Sequence, residues 1–172
     1  GRVSFGAFYM RRALRLLPAL YFMLVCYAIY TYWAGLPVTA MWQSTLGAMF
    51  YVTNWLAILK PEAIAPGTGH LWSLAVEEQF YLILPVILWV TPRRYLAAFL
   101  LACFLTAPLL RALLPAGMAT YVLLPCRLDG LMAGVLLALG WQDGRLRAAI
   151  TQSRGRLLVL WAVLAVPGML LV

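Results

Sequence analysis

A histidine and two adjacent carboxylates stand at the start of a long apolar run. The stretch 70–81 has the sequence HLWSLAVEEQFY, and the chain stays apolar from there to Val90. The run is long enough to cross a membrane, where charged side chains are costly and usually functional. On a helix His70 and Glu77 share a stripe, whereas Glu78 points to one side. We expect His70 and Glu77 to bracket a small substrate, since a neutral imidazole accepts protons from hydroxyls near pH 7.

A structural interpretation of the same two residues stays open. His70 would then cap the helix at the membrane interface, and Glu77 would pair with an arginine from another span. Arg11, Arg12 and Arg15 are open to two interpretations as well. The guanidinium fork holds phosphates through two parallel hydrogen bonds, but arginines at a membrane boundary also mark the cytoplasmic side.

Three more polar residues interrupt apolar sequence. Arg127 and Asp129 are two positions apart near the start of a span, so they face nearly opposite sides of a helix. We expect each to meet a charge on another helix or a substrate. Asn54 is a single amide in apolar surroundings, which favours a hydrogen bond between helices over a contact with substrate.

The composition excludes a soluble fold. Of the 172 residues 65% are hydrophobic and only 10% are charged, and the mean hydropathy is +0.91. Soluble domains carry roughly 25% charged residues. The net charge of +8 comes from 13 basic residues, mostly arginines at the ends of apolar runs, and this is typical of topology signals rather than of nucleic-acid binding. The three cysteines are isolated from each other and from the histidine, so we predict neither a disulfide nor a metal site.

The apolar runs predict an all-α, polytopic membrane bundle with five or six membrane segments. Because the chain opens on Gly1 and ends at Val172 inside an apolar run, we expect it to be a piece of a longer protein, cut at both ends. All residues from 1 to 172 are assigned to a single transmembrane domain. Its predicted spans are 13–34, 41–59, 70–91, 95–114, 121–141 and 157–172, the second of them uncertain.

The arginine clusters conflict with six full crossings. Clusters at 11–15, 93–94 and 145–156 should all be cytoplasmic, yet three candidate spans separate the first two clusters. The polar content of 41–59 favours a segment that does not fully cross, which would place His70 near the outer face. If 41–59 does cross, His70 lies near the inner face.

Four ordered motifs carry a resemblance to a known family. They are YMRRALRLLP at 9–18, TNW at 53–55, the stretch 70–81 and RLDGLMAG at 127–134. Together they resemble the membrane-bound acyltransferase 3 family over residues 5–139. The resemblance implies a larger polytopic enzyme of the cell membrane. Such an enzyme moves an acyl group, usually acetyl, from acyl-CoA to a hydroxyl of a cell-surface glycan or related saccharide.

The resemblance also implies roles for particular residues. The family's Arg-x-x-Arg element, matched by Arg12 and Arg15, is expected to serve acyl-CoA on the cytoplasmic side, with Arg11 beside it. No permanently bound cofactor is implied, and the expected partners are the acyl-CoA donor, the saccharide acceptor and membrane lipid. The family's catalytic histidine lies in a span upstream of this sequence, so Glu77 with His70 would position or polarise groups. Apart from the resemblance, Arg127, Asp129 and Asn54 are the residues that we predict to bind substrate.

Two other classes of function compete with acyl transfer. A transporter would line a substrate path with its intramembrane charges, but it predicts internal repeats, and the sequence contains none. A helical scaffold without catalysis is the third interpretation. Transfer of label from acetyl-CoA separates the enzyme from both alternatives.

Overall fold

The computed structural model describes residues 4–35, 38–142, 144–153 and 155. Within these ranges every regular element is a helix, which confirms the all-α class. The α-helices are α1 (Phe5–Trp33), α2 (Val38–Met49), α3 (Thr53–Leu59), α4 (Leu71–Val90), α5 (Arg93–Leu113), α6 (Met118–Val122), α7 (Leu128–Gly140) and α8 (Gly144–Gln152). Short 3₁₀ turns occupy Pro61–Ala63 and Leu124–Arg127.

Among the residues that the structure describes, three helices are long and apolar enough to cross a membrane. They are α1, α4 and α5, with 29, 20 and 21 residues. Twenty helical residues cover about 30 Å, the thickness of the hydrocarbon core. α1 begins at Phe5 and not at the predicted Ala13, because Ser4 caps it and its hydroxyl oxygen accepts a hydrogen bond from the amide of Ala7 at 3.3 Å. The arginines at 11–15 therefore lie inside the helix and not ahead of it.

α1 and α4 run antiparallel, and the ring of Phe5 at the start of α1 packs edge-on against that of Trp89 at the end of α4. The hydroxyl of Tyr9 donates to the carbonyl of Leu82 at 2.8 Å, and the hydroxyl of Tyr27 donates to the carbonyl of Pro66 at 2.7 Å. Between these bonds a buried cluster of Leu20, Leu24, Ala48 and Leu71 brings α1, α2 and α4 together. The start of α1 therefore lies beside the end of α4.

α5 and α7 complete the bundle on the other side of α4. A second buried cluster consists of Phe80 and Leu84 from α4, Leu100 from α5 and Met132 from α7. The turn Thr91–Pro92 reverses the chain from α4 into α5. The end of α5 is tied to the region where α7 begins, so these two helices are antiparallel.

The uncertain segment 41–59 consists of two short helices with a sharp turn between them. Tyr51 at the turn has φ 54°, which is uncommon for a residue other than glycine. The hydroxyl of Ser44 in α2 donates to the carbonyl of Ala63, just after α3, at 2.8 Å, so the two helices leave and rejoin the same end of the bundle. Gly47 allows their close contact, because a Cβ there would lie 2.4 Å from Cδ1 of Leu56. We call residues 38–59 the re-entrant hairpin, because the segment enters the bundle and returns to the same end of it.

This hairpin removes the conflict between the arginine clusters. If 38–59 enters and returns, only α1 and α4 cross between Arg12 and Arg93, so both clusters lie at one end of the bundle. His70, at the start of α4, then lies at the opposite end. The sidedness of the bundle in a membrane stays a prediction.

The predicted span 121–141 is not a single helix. It consists of α6, a 3₁₀ turn containing Pro125 and then α7, because proline lacks the amide hydrogen that a continuous helix needs. α7 has 13 residues and extends about 20 Å, less than the hydrocarbon core. Whether the whole segment crosses stays a prediction. The final predicted span, 157–172, lies outside the described residues.

Candidate functional site

An ion pair joins the first turns of α1 to the middle of α4. Nε and Nη2 of Arg12 both donate to Oε1 of Glu78, at 2.8 and 2.6 Å. The guanidinium also lies over the ring of Tyr81, with its carbon 3.2 Å from the ring centroid. The side chains of Arg12 and Glu78 are only 20% and 15% exposed. Pairing and stacking compensate for placing two charges within helices that are long and apolar enough to cross a membrane.

The ion pair lines a cavity of about 190 Å³ between α1, α4 and the tip of the re-entrant hairpin. Its walls are mostly apolar and aromatic, with the charged pair set among them. The lining residues are Tyr9, Arg12, Phe50, Tyr51, Glu78, Gln79, Tyr81 and Leu82. A mostly apolar cavity with a few convergent polar groups is the usual form of a small-molecule site.

Glu78 keeps one oxygen available for chemistry. Both bonds from Arg12 end on Oε1, and Oε2 makes no hydrogen bond to any residue that the structure describes. An ionised carboxylate accepts hydrogen bonds only, and each oxygen has room for about two. The arginine therefore fixes the carboxylate while Oε2 remains able to accept a hydrogen bond from a hydroxyl or an imidazole.

A pair of amides holds the hairpin against α4 beside this cavity. Nδ2 of Asn54 donates to Oε1 of Gln79 at 3.2 Å, and Nε2 of Gln79 donates to Oδ1 of Asn54 at 3.0 Å. Nε2 of Gln79 also donates to the carbonyl of Tyr51 at 2.8 Å. Asn54 is completely buried, so its amide serves the contact between helices that the sequence favoured.

His70 and Glu77 do not join the ion pair. Both are exposed, and neither side chain makes a hydrogen bond within the described part of the chain. His70 stands at the N-cap of α4 without a side-chain capping bond, so the predicted cap is not formed. It precedes Glu78 by eight residues, which is about 12 Å along a helix. The predicted partner of an arginine was Glu77, and the structure places its neighbour Glu78 there instead.

The pair Arg127 and Asp129 separates as expected, with different partners. Nη2 of Arg111 donates to Oδ2 of Asp129 at 2.5 Å, so Asp129 does meet a charge on another helix. Arg127 meets aromatic rings instead of a carboxylate among the described residues. Its guanidinium carbon is 4.4 Å from the ring centroid of Tyr121 and 5.4 Å from that of Trp72. The structure brings neither residue to the Arg12–Glu78 cavity.

The whole chain, residues 1–172, matches the model of the acyltransferase 3 family, described as an acyltransferase domain. The chain belongs to this family. The resemblance in the sequence motifs is thereby confirmed, and the polytopic helical class and the three membrane-length helices fit it.

Relatives of this acyltransferase 3 chain are bacterial O-acetyltransferases. The O-acetyltransferase OatA of Staphylococcus aureus is 37% identical over 95 residues, which cover 51% of this chain and 15% of the relative. The peptidoglycan O-acetyltransferase OatA of Listeria monocytogenes is 38% identical over 90 residues, 48% of this chain and 14% of the relative. The matched part is thus less than a fifth of each relative's length. No solved structure matches the chain significantly.

The two arginines of the acyltransferase 3 motif Arg-x-x-Arg lie in different environments. Arg12 is engaged by Glu78 and Tyr81, whereas Arg15 and the neighbouring Arg11 are exposed. Arg11 and Arg15 are four residues apart and so share a face of α1. Of the three arginines predicted to hold the donor, these two are accessible to phosphates.

Sequence interpretation missed Glu78, Tyr81 and Gln79 as site residues. The signal for Glu78 is its spacing from Leu71, Ala75 and Leu82, which gives a stripe at intervals of four, three and four residues. Leu71 on this stripe packs against α1. The stripe becomes informative only when the neighbouring helix is known, because α4 is apolar on every other side as well.

Proposed function

We propose that this chain is part of a membrane O-acyltransferase that moves an acetyl group from acyl-CoA to a hydroxyl of a cell-surface saccharide. The observation that carries the proposal is the Arg12–Glu78 pair in an apolar cavity of a chain that belongs to an acyltransferase family. The chain's share of its relatives is small, so the proposal concerns the complete protein. This part would contribute one wall of the reaction centre.

The reaction requires a base, a held thioester and an accessible acceptor. The acceptor hydroxyl oxygen attacks the thioester carbonyl carbon, the new C–O bond forms and the C–S bond breaks. The hydroxyl proton passes to a base and then to the departing thiolate, which leaves as free coenzyme A. Oε2 of Glu78 would accept a hydrogen bond from the acceptor hydroxyl or from a histidine that acts as the base. Arg12 would keep the carboxylate in place during this step.

The donor would approach from the arginine-rich end of the bundle. Coenzyme A carries phosphates, and the guanidinium fork binds phosphate oxygens through paired hydrogen bonds. Arg11 and Arg15 are exposed on one face of α1, one turn or less from Arg12. They would hold the phosphates while the thioester end reaches the cavity. This assigns two of the predicted donor-binding arginines to phosphate and Arg12 to the reaction centre.

The acceptor would be a saccharide outside the cell. One relative is named a peptidoglycan O-acetyltransferase, which supports a glycan acceptor for the family. The positive-inside rule favours placing the ends of α1 and α5 that carry Arg11, Arg12, Arg93 and Arg94 in the cytoplasm of the cell. The opposite end of the bundle, which carries His70, would then lie at the outer side of the cell membrane, where the acceptor is.

The test is acetyl transfer by the complete protein in membranes. Labelled acetyl-CoA is supplied with a peptidoglycan-derived oligosaccharide, and label in the saccharide is measured. Replacing Glu78 by alanine should lower kcat/KM by roughly 100-fold or more, since acid–base groups contribute about 10²–10⁴. Glu62→Ala, in an exposed 3₁₀ turn away from the cavity, is the matched control and should retain activity.

Two results would overturn the proposal. One is wild-type protein that moves solute across the membrane without any acetyl turnover, which would favour a transporter. The other is a Glu78→Ala variant that is inserted normally and transfers acetyl at the wild-type rate.

A further inference from the structure

One wall of the cavity is formed by the tip of the re-entrant hairpin, and the other walls are formed by the long helices α1 and α4. Phe50 and Tyr51 line the cavity from this tip, whereas its other lining residues belong to α1 and α4. Tyr51 has φ 54°, a conformation that costs free energy unless the surroundings impose it. The position of this wall therefore depends on what holds the turn.

The amides of Asn54 and Gln79 hold the turn from both sides. Gln79 bonds the carbonyl of Tyr51 at 2.8 Å, so it fixes the residue with the unusual backbone. The reciprocal bonds with Asn54 fix the first turn of α3, and Nδ2 of Asn54 reaches the carbonyl of Val122 at 3.4 Å. Gln79 also follows Glu78 directly on α4. The helical turn that carries the reacting carboxylate therefore carries the tether of the opposite wall.

We propose that Asn54 and Gln79 are positioning residues for acyl transfer, an inference that rests on the proposed function. The amide pair sets the distance between the hairpin tip and Glu78, and so holds the acyl thioester against the carboxylate. Without the pair, the tip relaxes from its strained turn and the cavity loses its shape. Misplacement by about 1 Å is enough to slow a reaction by roughly 100-fold.

The position of the donor phosphates separates this role from a loss of binding. Arg11 and Arg15 would bind the phosphates on α1, away from the hairpin. Losing the amide pair should therefore lower kcat and leave the KM for acetyl-CoA nearly unchanged. Ordinary hydrogen bonding between membrane helices would instead lower the amount of folded protein and leave the kcat of the folded fraction intact.

The experiment uses the complete protein in membranes with Asn54→Ala, Gln79→Met and the double variant. Each single variant should lose about 10- to 100-fold in kcat, with KM for acetyl-CoA within about twofold. The double variant should lose no more than the worse single variant, because both residues serve one tether. The exchanged variant, Asn54→Gln together with Gln79→Asn, keeps both amides and should recover most of the activity.

Ser44→Ala is the matched control in the same hairpin. Ser44 is completely buried, donates to the carbonyl of Ala63 and accepts from the amide of Ala65 at 2.6 Å, but it is not among the residues that line the cavity. Its loss should reduce stability without lowering the kcat of folded protein. A kcat loss in Ser44→Ala equal to that in Asn54→Ala would overturn the positioning role.

A second measurement works without any acetyl transfer. The variant Phe50→Cys/Leu82→Cys, in an otherwise cysteine-free protein, places one thiol on the hairpin wall of the cavity and one on the α4 wall. A short bismaleimide then cross-links the two thiols. Cross-linking should be efficient with the amide pair intact and should fall several-fold in Asn54→Ala. If acetyl transfer is absent but cross-linking depends on Asn54, the proposed function fails while the tether stands. Equal cross-linking together with an unchanged kcat overturns the tether.

Discussion

Arg12 and Glu78 lie 66 positions apart in the chain, and both hydrogen bonds between them end on the same carboxylate oxygen. A bidentate pair would occupy both oxygens of Glu78, whereas this geometry leaves Oε2 available. The ring of Tyr81, one turn further along α4, lies against the guanidinium and fixes its plane. The arrangement orients the carboxylate through one oxygen and, among the described residues, leaves the other oxygen able to accept a hydrogen bond.

Removing both partners of this pair should destabilise the protein less than the two single removals added together. Arg12→Gln leaves a largely buried carboxylate without its cation, and the expected loss is roughly 2 kcal/mol. Glu78→Gln leaves the guanidinium in the same position. The double variant Arg12→Gln/Glu78→Gln should lose clearly less than the sum, because no unpaired charge remains.

Thermal unfolding of the complete protein in detergent measures this coupling. Arg94→Gln is the control, since Arg94 is exposed at the same end of the bundle and stacks on its neighbour Tyr95. Additive losses from the two single variants would show that the ion pair contributes nothing to stability.

Arg11 and Arg15 should affect donor binding, in contrast to the effect of Glu78 on turnover. Replacing either by glutamine removes a charged hydrogen-bond donor for phosphate, and the KM for acetyl-CoA should rise roughly 10-fold. The rise should be smaller at high salt, because exposed charges are screened. Steady-state kinetics with acetyl-CoA and with a short thioester lacking the nucleotide separates the effects. Equal losses with both donors would contradict a phosphate contact.

The long helices were predictable, but the faces by which they meet were not. Predicted spans 70–91 and 95–114 agree closely with α4 and α5, because an unbroken apolar run of this length has few alternatives in a membrane. Glu77 and Glu78 differ by one position, which turns the side chain by about 100°. Which of the two faces α1 depends on packing between residues far apart in sequence. A single sequence carries no direct record of that packing.

The sequence predicted only part of the break in segment 41–59 and only one member of the amide pair. Polar residues in the segment indicated that it does not behave as an ordinary span, and they singled out Asn54. The partner Gln79 was not identified, because a hydrogen bond between side chains 25 positions apart leaves no periodic signal. The turn at Tyr51 was not predicted either, because the residue with the positive φ is neither a glycine nor an asparagine.

Arg111 and Asp129 should contribute less stability than Arg12 and Glu78. Their side chains are 35% and 30% exposed, and ion pairs with such access to solvent contribute about 1 kcal/mol or less. Asp129→Asn should therefore cost roughly 0.5 kcal/mol. Arg111→Met should cost more, because Nη1 of Arg111 also donates to the carbonyl of Cys126 at 2.5 Å. Unfolding midpoints of the two variants test this order, and a larger loss for Asp129→Asn would reverse the interpretation.

The re-entrant hairpin predicts which loops lie on the same side of the membrane. If residues 38–59 enter and return, cysteines at Ala34 and Glu62 should react with an impermeant maleimide from one side, and a cysteine at Arg94 should react from the other. The physical reason is that α1 and α4 are antiparallel and in contact along their length, so the chain between them begins and ends at the same end of the bundle. Labelling of intact cells and of inverted vesicles gives the two measurements. Labelling of Ala34→Cys and Glu62→Cys from opposite sides would mean that the segment crosses. The arginine cluster at 93–94 would then lie on the side opposite to Arg12, against the charge rule that orients the other loops.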